Sequence, residues 1–348
     1  MNNQLFADIT LELSQEPQVA AEMEIEDTPE GGPKKRPFYA PGWYSDLSND
    51  DYHSSFGYSS SNLKVLTEKT MAHLQYEMSH RGGTTEAMLK GQIFHTLTME
   101  PHLFEQEFAI RPDGLKNPTK AQVNAANPSE ETVTLLNAVD AWDLEKGNRV
   151  EITQAQYNHA RAMADKVREH PKAAMFLESG IAEQSVYSWY QPEDWDGNDD
   201  YRLMMKARPD WIVPGHNVVF DLKSSKSAAY SDFMKQSRQL GYHFSAAMYL
   251  DILNRELKRN KKFRADMGVF SFTQFVWIVA ENKPPYEVAC YECSAGDLNE
   301  GVQLYHRAVR KLDMYNRSEW KGYGDSDGEQ ITPDVRMSEF PRWNHKIV

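Results

Sequence analysis

The feature that most restricts this chain is an apolar run that ends in charge. Val218-Val219-Phe220 leads directly into Asp221-Leu222-Lys223, and Pro214-Gly215-His216-Asn217 precedes it as a turn signal. The run is short, β-branched and aromatic, so it predicts a buried strand over Val218–Lys223. A carboxylate at the end of such a strand needs a partner, because an isolated charge cannot be taken out of water cheaply. Asp221 and Lys223 are two residues apart and therefore share one face of the strand. Upstream, Arg202–Val213 is also β-rich and carries Asp210 within it. The turn between the two runs predicts neighbouring strands that set Asp210 beside Asp221. Two carboxylates that close repel unless a cation lies between them.

The surrounding sequence predicts an α/β fold, a central mixed sheet flanked by helices. Strands are expected at Ser185–Tyr190, Arg202–Val213 and Val218–Lys223, with a hairpin of Gln274–Ala280 and Tyr286–Glu292 around Pro284-Pro285. Ser59-Ser60-Ser61 ahead of Leu63, Leu66 and Leu74 reads as a helix start, since serine hydroxyls accept from free N–H groups. Leu89, Ile93 and Leu97 recur every fourth residue and predict a helix from Thr84 or Thr85 to Glu100, stopped by Pro101. Further helices are expected near 131–145, over Ala155–His170, from Tyr230 to about Arg259 with a break at Gly241, and over about Asp297–Tyr315.

Charge divides the chain. Against 38 Lys+Arg stand 51 Asp+Glu, a net of −13. Asp8, Glu12, Glu16, Glu22, Glu24, Glu26, Asp27 and Glu30 fall in a stretch with no basic residue, so the first 30 residues supply eight of those charges. Residues 1–37 read as an acidic, disordered tail and linker, and 38–348 as a single domain with a helical N-terminal part. The acidic total argues against a nucleic-acid partner only while local patches are ignored. Apolar runs fall well short of the roughly 20 residues a membrane span needs, so no membrane partner is expected. The N-terminus lacks a basic segment followed by an apolar one, and two Cys suit a reducing compartment, so the expected location is cytoplasmic. There is no G-x-x-x-x-G-K-[ST], G-x-S-x-G or H-E-x-x-H, and Cys290 and Cys293 lack the further ligands a zinc site would need.

Other residues could join the Asp210, Asp221 and Lys223 set. His95 follows Gly91 by one helical turn, which leaves room beside the imidazole; taken alone it reads as a helix-face histidine. Glu183 precedes the 185–190 strand and could supply a third carboxylate, or be a surface acid. Tyr242, His243 and Tyr249 lie on the helix after the Asp/Lys strand; Tyr242 and Tyr249 share a face, a pattern that also suits core packing. The cluster Arg255–Arg264 could meet phosphates or be a solvated helix end. Hard oxygen donors suit Mg²⁺, and the lysine beside them can position a water or stabilise negative charge.

At this point the residues resemble a known family. Asp210 followed by Asp221-Leu222-Lys223 resembles the PD-(D/E)XK nuclease core. Gly91-Gln92-Ile93-Phe94-His95, with Leu97 and Glu100-Pro101, is similar to the helical histidine motif of the RecB-like branch. Tyr52-His53, Ser59-Ser60-Ser61-Asn62-Leu63, Glu183-x-Ser185-Val186 with Trp189, Ala207-Arg208-Pro209-Asp210, Tyr242-His243, Ala246-Ala247-Met248-Tyr249 and Pro284-Pro285-Tyr286 follow in the order of the exodeoxyribonuclease VIII (RecE) C-terminal nuclease family of phages and prophages. The distal Trp320 and Tyr323 also fit. The resemblance implies a Mg²⁺-dependent exonuclease, with Mn²⁺ as a substitute, that degrades linear double-stranded DNA from 5′ ends. It implies a ring-like homo-oligomer such as a tetramer, a single-strand annealing protein as partner, and work in recombination in a bacterial cytoplasm. Carried over by position, His95, Asp210 and Asp221 bind metal, Lys223 orients the attacking water or stabilises the transition state, Glu183 is an accessory acid, and Tyr242 supports the substrate. Ser245 departs from the family, which has Gln three residues after the motif tyrosine. An inactive DNA-binding scaffold and an endonuclease of the same fold are the alternatives.

Overall fold

The structure, a computed structural model, describes residues 21–25, 34–45, 47–80, 82–190, 202–327 and 330–333. The strands that place the site are β1 (Gly42–Tyr44), β2 (Ile181–Ala182), β3 (Ser185–Tyr190), β4 (Leu203–Ala207), β5 (Trp211–Ile212), β6 (Val218–Ser225), β7 (Gln274–Glu281) and β8 (Val288–Glu292). The helices are α1 (Ser60–Glu68), α2 (Glu86–Met99), α3 (Gln154–Glu169), α4 (Tyr230–Gln239), α5 (Tyr242–Arg259) and α6 (Ala295–Arg317). A five-stranded sheet runs in the order β8-β7-β6-β5-β2, and a three-stranded sheet in the order β1-β3-β4. The β6 and β7 strands are parallel, so the chain between them must cross over, and it does so through α4 and α5.

The β6 alternation separates two cores. Val219 joins the cluster with Phe244, Leu253 and Tyr305 of α5 and α6, while Val218, Phe220 and Leu222 join Ile93, Phe94, Met163 and Val167 of α2 and α3. The five-stranded sheet therefore lies between two helical layers. Asp221 and Lys223 share the parity of Val219 and point to the α5 side.

One expectation needs correcting. Arg202–Val213 is not one strand: β4 belongs to the three-stranded sheet and β5 to the five-stranded one. Pro209 lies in the break, and its missing N–H cannot serve a ladder. Asp210 consequently sits at a crossing between sheets rather than inside a strand. Glu183-Gln184 forms a second crossing, from β2 to β3.

The N-terminal expectation changes in part. Ala21–Ile25 pairs antiparallel with Lys34–Phe38, with Glu24 and Lys35 in register. The Arg36 guanidinium donates to the Met78 carbonyl at 3.0 Å, and Phe38 is buried against Tyr52 and Tyr187. The rest of the expected tail, including Ile9–Leu13, lies outside the described residues, as does 334–348 of the expected domain. Among the described residues no helix is long and apolar enough to cross a membrane.

Candidate active site

The two crossings meet. The Glu183 N–H donates to the Asp210 carbonyl at 3.1 Å, which ties the two acidic segments together through the backbone. Glu183 adopts φ +47, a left-handed conformation that costs a residue with a Cβ on the order of 1–3 kcal/mol. Such a residue persists only where its neighbours hold it. Here the Arg208 Nε donates to the Glu183 carbonyl at 3.1 Å and lies 3.6 Å from its carboxylate. Arg208 is 8% exposed. Within the Ala207–Asp210 motif it is the residue that fixes Glu183.

Because β5 is two residues long, its ladder with β6 stops at the Phe220–Trp211 pair. The next peptide groups of β6 are left for the site. The Leu222 N–H donates to Asp210 Oδ2 at 2.7 Å, and the Leu222 carbonyl accepts from His95 Nε2 at 2.9 Å. A carbonyl can only accept, so Nε2 carries the proton and Nδ1 presents its lone pair. That lone pair faces Asp210 Oδ2 at 3.7 Å. An N–H of a metal-binding histidine held by a backbone carbonyl is the usual way to fix its tautomer.

The electrostatics follow from burial. Desolvation, aided by the Lys223 charge, lowers His95 to about 4, so the ring is neutral at ordinary pH. Desolvation and the neighbouring Asp210 raise Asp221 to about 6. Desolvation also raises Asp210, and desolvation with the Asp210 charge raises Glu183. Asp210 disfavours the charge of Asp221 as long as no cation lies between the two carboxyls. Burial alone would lower Lys223, but Asp221 and Asp210 outweigh it and hold it protonated. Its ammonium pairs with Asp221 and lies 5.4 Å from the Tyr242 ring centroid.

These donors suit a hard divalent cation. Ligand atoms of His95, Glu183 and Asp210 all lie within 4.8 Å of one another. Three carboxyls are pushed toward their protonated forms, and a neutral imidazole turns its lone pair onto one of them; a cation relieves both conflicts. The expected ligands were His95, Asp210 and Asp221. The structure brings Glu183 into the compact set, while Asp221 stands beside it, paired with Lys223.

The remaining expectations divide. Tyr242 lies beside Lys223, with the Gln236 amide 3.5 Å from its hydroxyl. Burial raises Tyr249, with the Asp221 and Asp210 charges adding to the effect. Ser245, standing where the resemblance has Gln, puts its Oγ 3.3 Å from Ser60 Oγ. Gly91 does not make room for His95: a Cβ there would meet nothing within 4 Å. In the basic cluster, Arg255 pairs with Asp251 at 2.8 Å and Arg259 with Glu256 at 3.4 Å, leaving Lys258, Lys261 and Lys262 exposed. Cys290 and Cys293 are free thiols. Besides Arg208, sequence reasoning passed over Lys64. Its signal was position: it lies one turn after the buried Ser60, on the same face of α1.

Among curated proteins no match is found. The fold is similar to that of a candidate exonuclease from Eubacterium rectale, with 13% identity, 78% of this chain and 87% of that chain covered, and a TM-score of 0.47. It is also similar to a phage-related exonuclease from Haemophilus somnus 129PT, with 10% identity, 58% and 91% covered, and a TM-score of 0.28. A family model described as a PDDEXK-like domain of unknown function (DUF3799) matches residues 59–325, a span that contains His95, Glu183, Asp210, Asp221 and Lys223. The chain belongs to that PDDEXK-like family.

Proposed function

We propose that the protein is a Mg²⁺-dependent exodeoxyribonuclease that shortens one strand of linear double-stranded DNA, from the 5′ end, and leaves single-stranded DNA for recombination by annealing. The observation that carries the reading is the convergence of His95, Glu183, Asp210, Asp221 and Lys223 at one sheet crossing. His95 Nδ1 and the Asp210 and Glu183 carboxylates would hold the metal, with Asp221 completing the set. When bound, the metal supplies charge neutralisation at the scissile phosphate and a nucleophile near neutral pH. Lys223 stays protonated between two carboxylates, so it can orient the attacking water or meet charge that develops on the phosphate. Arg208 holds Glu183, and the Leu222 peptide holds both His95 and Asp210, so the donors are set before substrate arrives. Tyr242 flanks Lys223 and would support the substrate strand.

The same reading includes a ring-like homo-oligomer, a single-strand annealing partner and a bacterial cytoplasmic setting. Incubation with linear and covalently closed circular duplexes, with Mg²⁺ or a chelator, tests it. Loss of the linear substrate alone supports the exonuclease. Cutting of the circle turns the reading to an endonuclease, and binding without cutting to a scaffold.

A further inference from the structure

Lys64 approaches the site from the α5 side. It lies on α1, one turn after Ser60, whose Oγ meets Ser245 on α5. Its ammonium donates to the Leu240 carbonyl at 3.1 Å. Gly241 follows at φ +63, and a Cβ there would come within 3.0 Å of Lys64 Cδ. The stem thus lies against a position that only glycine serves well. Tyr242, which follows Gly241, sets its ring 5.4 Å from the Lys223 ammonium, so the Lys64 stem and Lys223 flank the same turn. Burial and the Lys223 charge lower the Lys64 pKa to about 8, with Asp221 opposing.

This placement is more than a helix cap requires. A lysine that only satisfied the Leu240 carbonyl would gain from the α4 C-terminus wherever its stem ran. Here the half-buried stem runs along Gly241, one residue before the tyrosine that Lys223 flanks. Two ammonium groups that flank one turn repel, and an anion between them offsets that repulsion. The spare N–H groups of Lys64 can serve such an anion.

Resting on the nuclease reading, we infer that Lys64 is a substrate-binding residue that holds the backbone phosphate next to the scissile one, on the Lys223 and Tyr242 side of the site. The phosphate bridges the Lys64 and Lys223 flanks while the His95 side is reserved for the metal. Recognition is of phosphate and not of base, so the contact is indifferent to sequence.

The test uses the full-length protein and two variants. Lys64→Gln keeps an N–H for the Leu240 carbonyl and removes the charge; Lys64→Arg keeps the charge. Binding of a labelled linear duplex is measured in chelator across a salt series, and cleavage is measured with Mg²⁺. Lys64→Gln is expected to raise Kd and KM by roughly tenfold or more, as for a lost charge-assisted contact. It is expected to flatten the plot of log affinity against log salt by about 0.9, one phosphate contact. The kcat should stay within about threefold of the parent, the pattern of lost uniform binding, and Lys64→Arg should restore Kd and slope. Unchanged affinity and slope in Lys64→Gln, with or without a lower Tm, would reduce Lys64 to a helix cap and overturn the inference. Failure of the parent to cleave despite binding would defeat the nuclease reading, while the binding series would still decide Lys64. A parent that binds no duplex would overturn both.

Discussion

On the proposed reading, Asp221 serves the reaction at a cost to the fold. Its carboxylate is 7% exposed and raised to about 6, so burial and Asp210 disfavour its charge despite Lys223. Its folded pKa lies above the unfolded value near 3.8. The fold therefore favours the protonated form: that contribution is full below about pH 4 and is lost as pH rises through about 6. Asp221→Asn should remove this penalty. In metal-free buffer the variant is expected to be the more stable by on the order of 1–2 kcal/mol at pH 8, with the gap closing toward pH 4. Denaturant midpoints at the two pH values check this; equal gaps would contradict it. The same variant should lose cleavage by at least about 100-fold. Lys223→Ala should lose cleavage equally, but also stability, because two buried carboxylates would be left without their cation. His95 behaves differently. Being neutral down to about pH 4, it sets no limit on metal binding near 6.5. Mg²⁺ affinity measured calorimetrically should instead fall as pH drops through about 8, where Glu183 takes up its proton, and again through about 6, where Asp221 does.

Strand ends and helix contacts turn these residues into a site. The Val218–Phe220 run, the turn before it and the Asp-x-Lys that follows gave β6 and the facing of Asp210 and Asp221 directly from sequence. The helix starts at Ser59 and Thr85, and the break at Gly241, were equally readable from local capping and backbone rules. Less readable was the division of the β structure into two sheets. Pro209 marks one crossing in the sequence, but Glu183-Gln184 carries no breaker, and its φ is imposed by Arg208 and the Asp210 peptide from elsewhere in the chain. Glu183 could be named as a candidate acid, but its place beside His95 could not be. Another long-range element is the α5–α6 contact behind Tyr242. A Cβ on Gly301 would come 2.2 Å from the His243 carbonyl oxygen, so the helices meet at that glycine. Gly301→Ala is expected to cost about 1–3 kcal/mol as α6 is pushed from α5. Thermal unfolding checks this, and an unchanged Tm would show that the helices separate freely.

Across the whole molecule, the net charge of −13 does not by itself decide partners. Eight of those charges lie in the first 30 residues, and several of the others are the site carboxylates. What remains does not exclude DNA, because charge acts locally: Lys223 pairs with Asp221, and Arg208 lies 3.6 Å from the Glu183 carboxylate. The account depends most on the metal-dependent cutting of DNA ends. It is tested directly by a time course on an end-labelled linear duplex beside a covalently closed circle, with Mg²⁺ and with a chelator. The account predicts progressive loss of the linear duplex in Mg²⁺, none in chelator, and an intact circle. Absence of cleavage of the linear duplex in Mg²⁺, with the protein folded and bound to DNA, would contradict it.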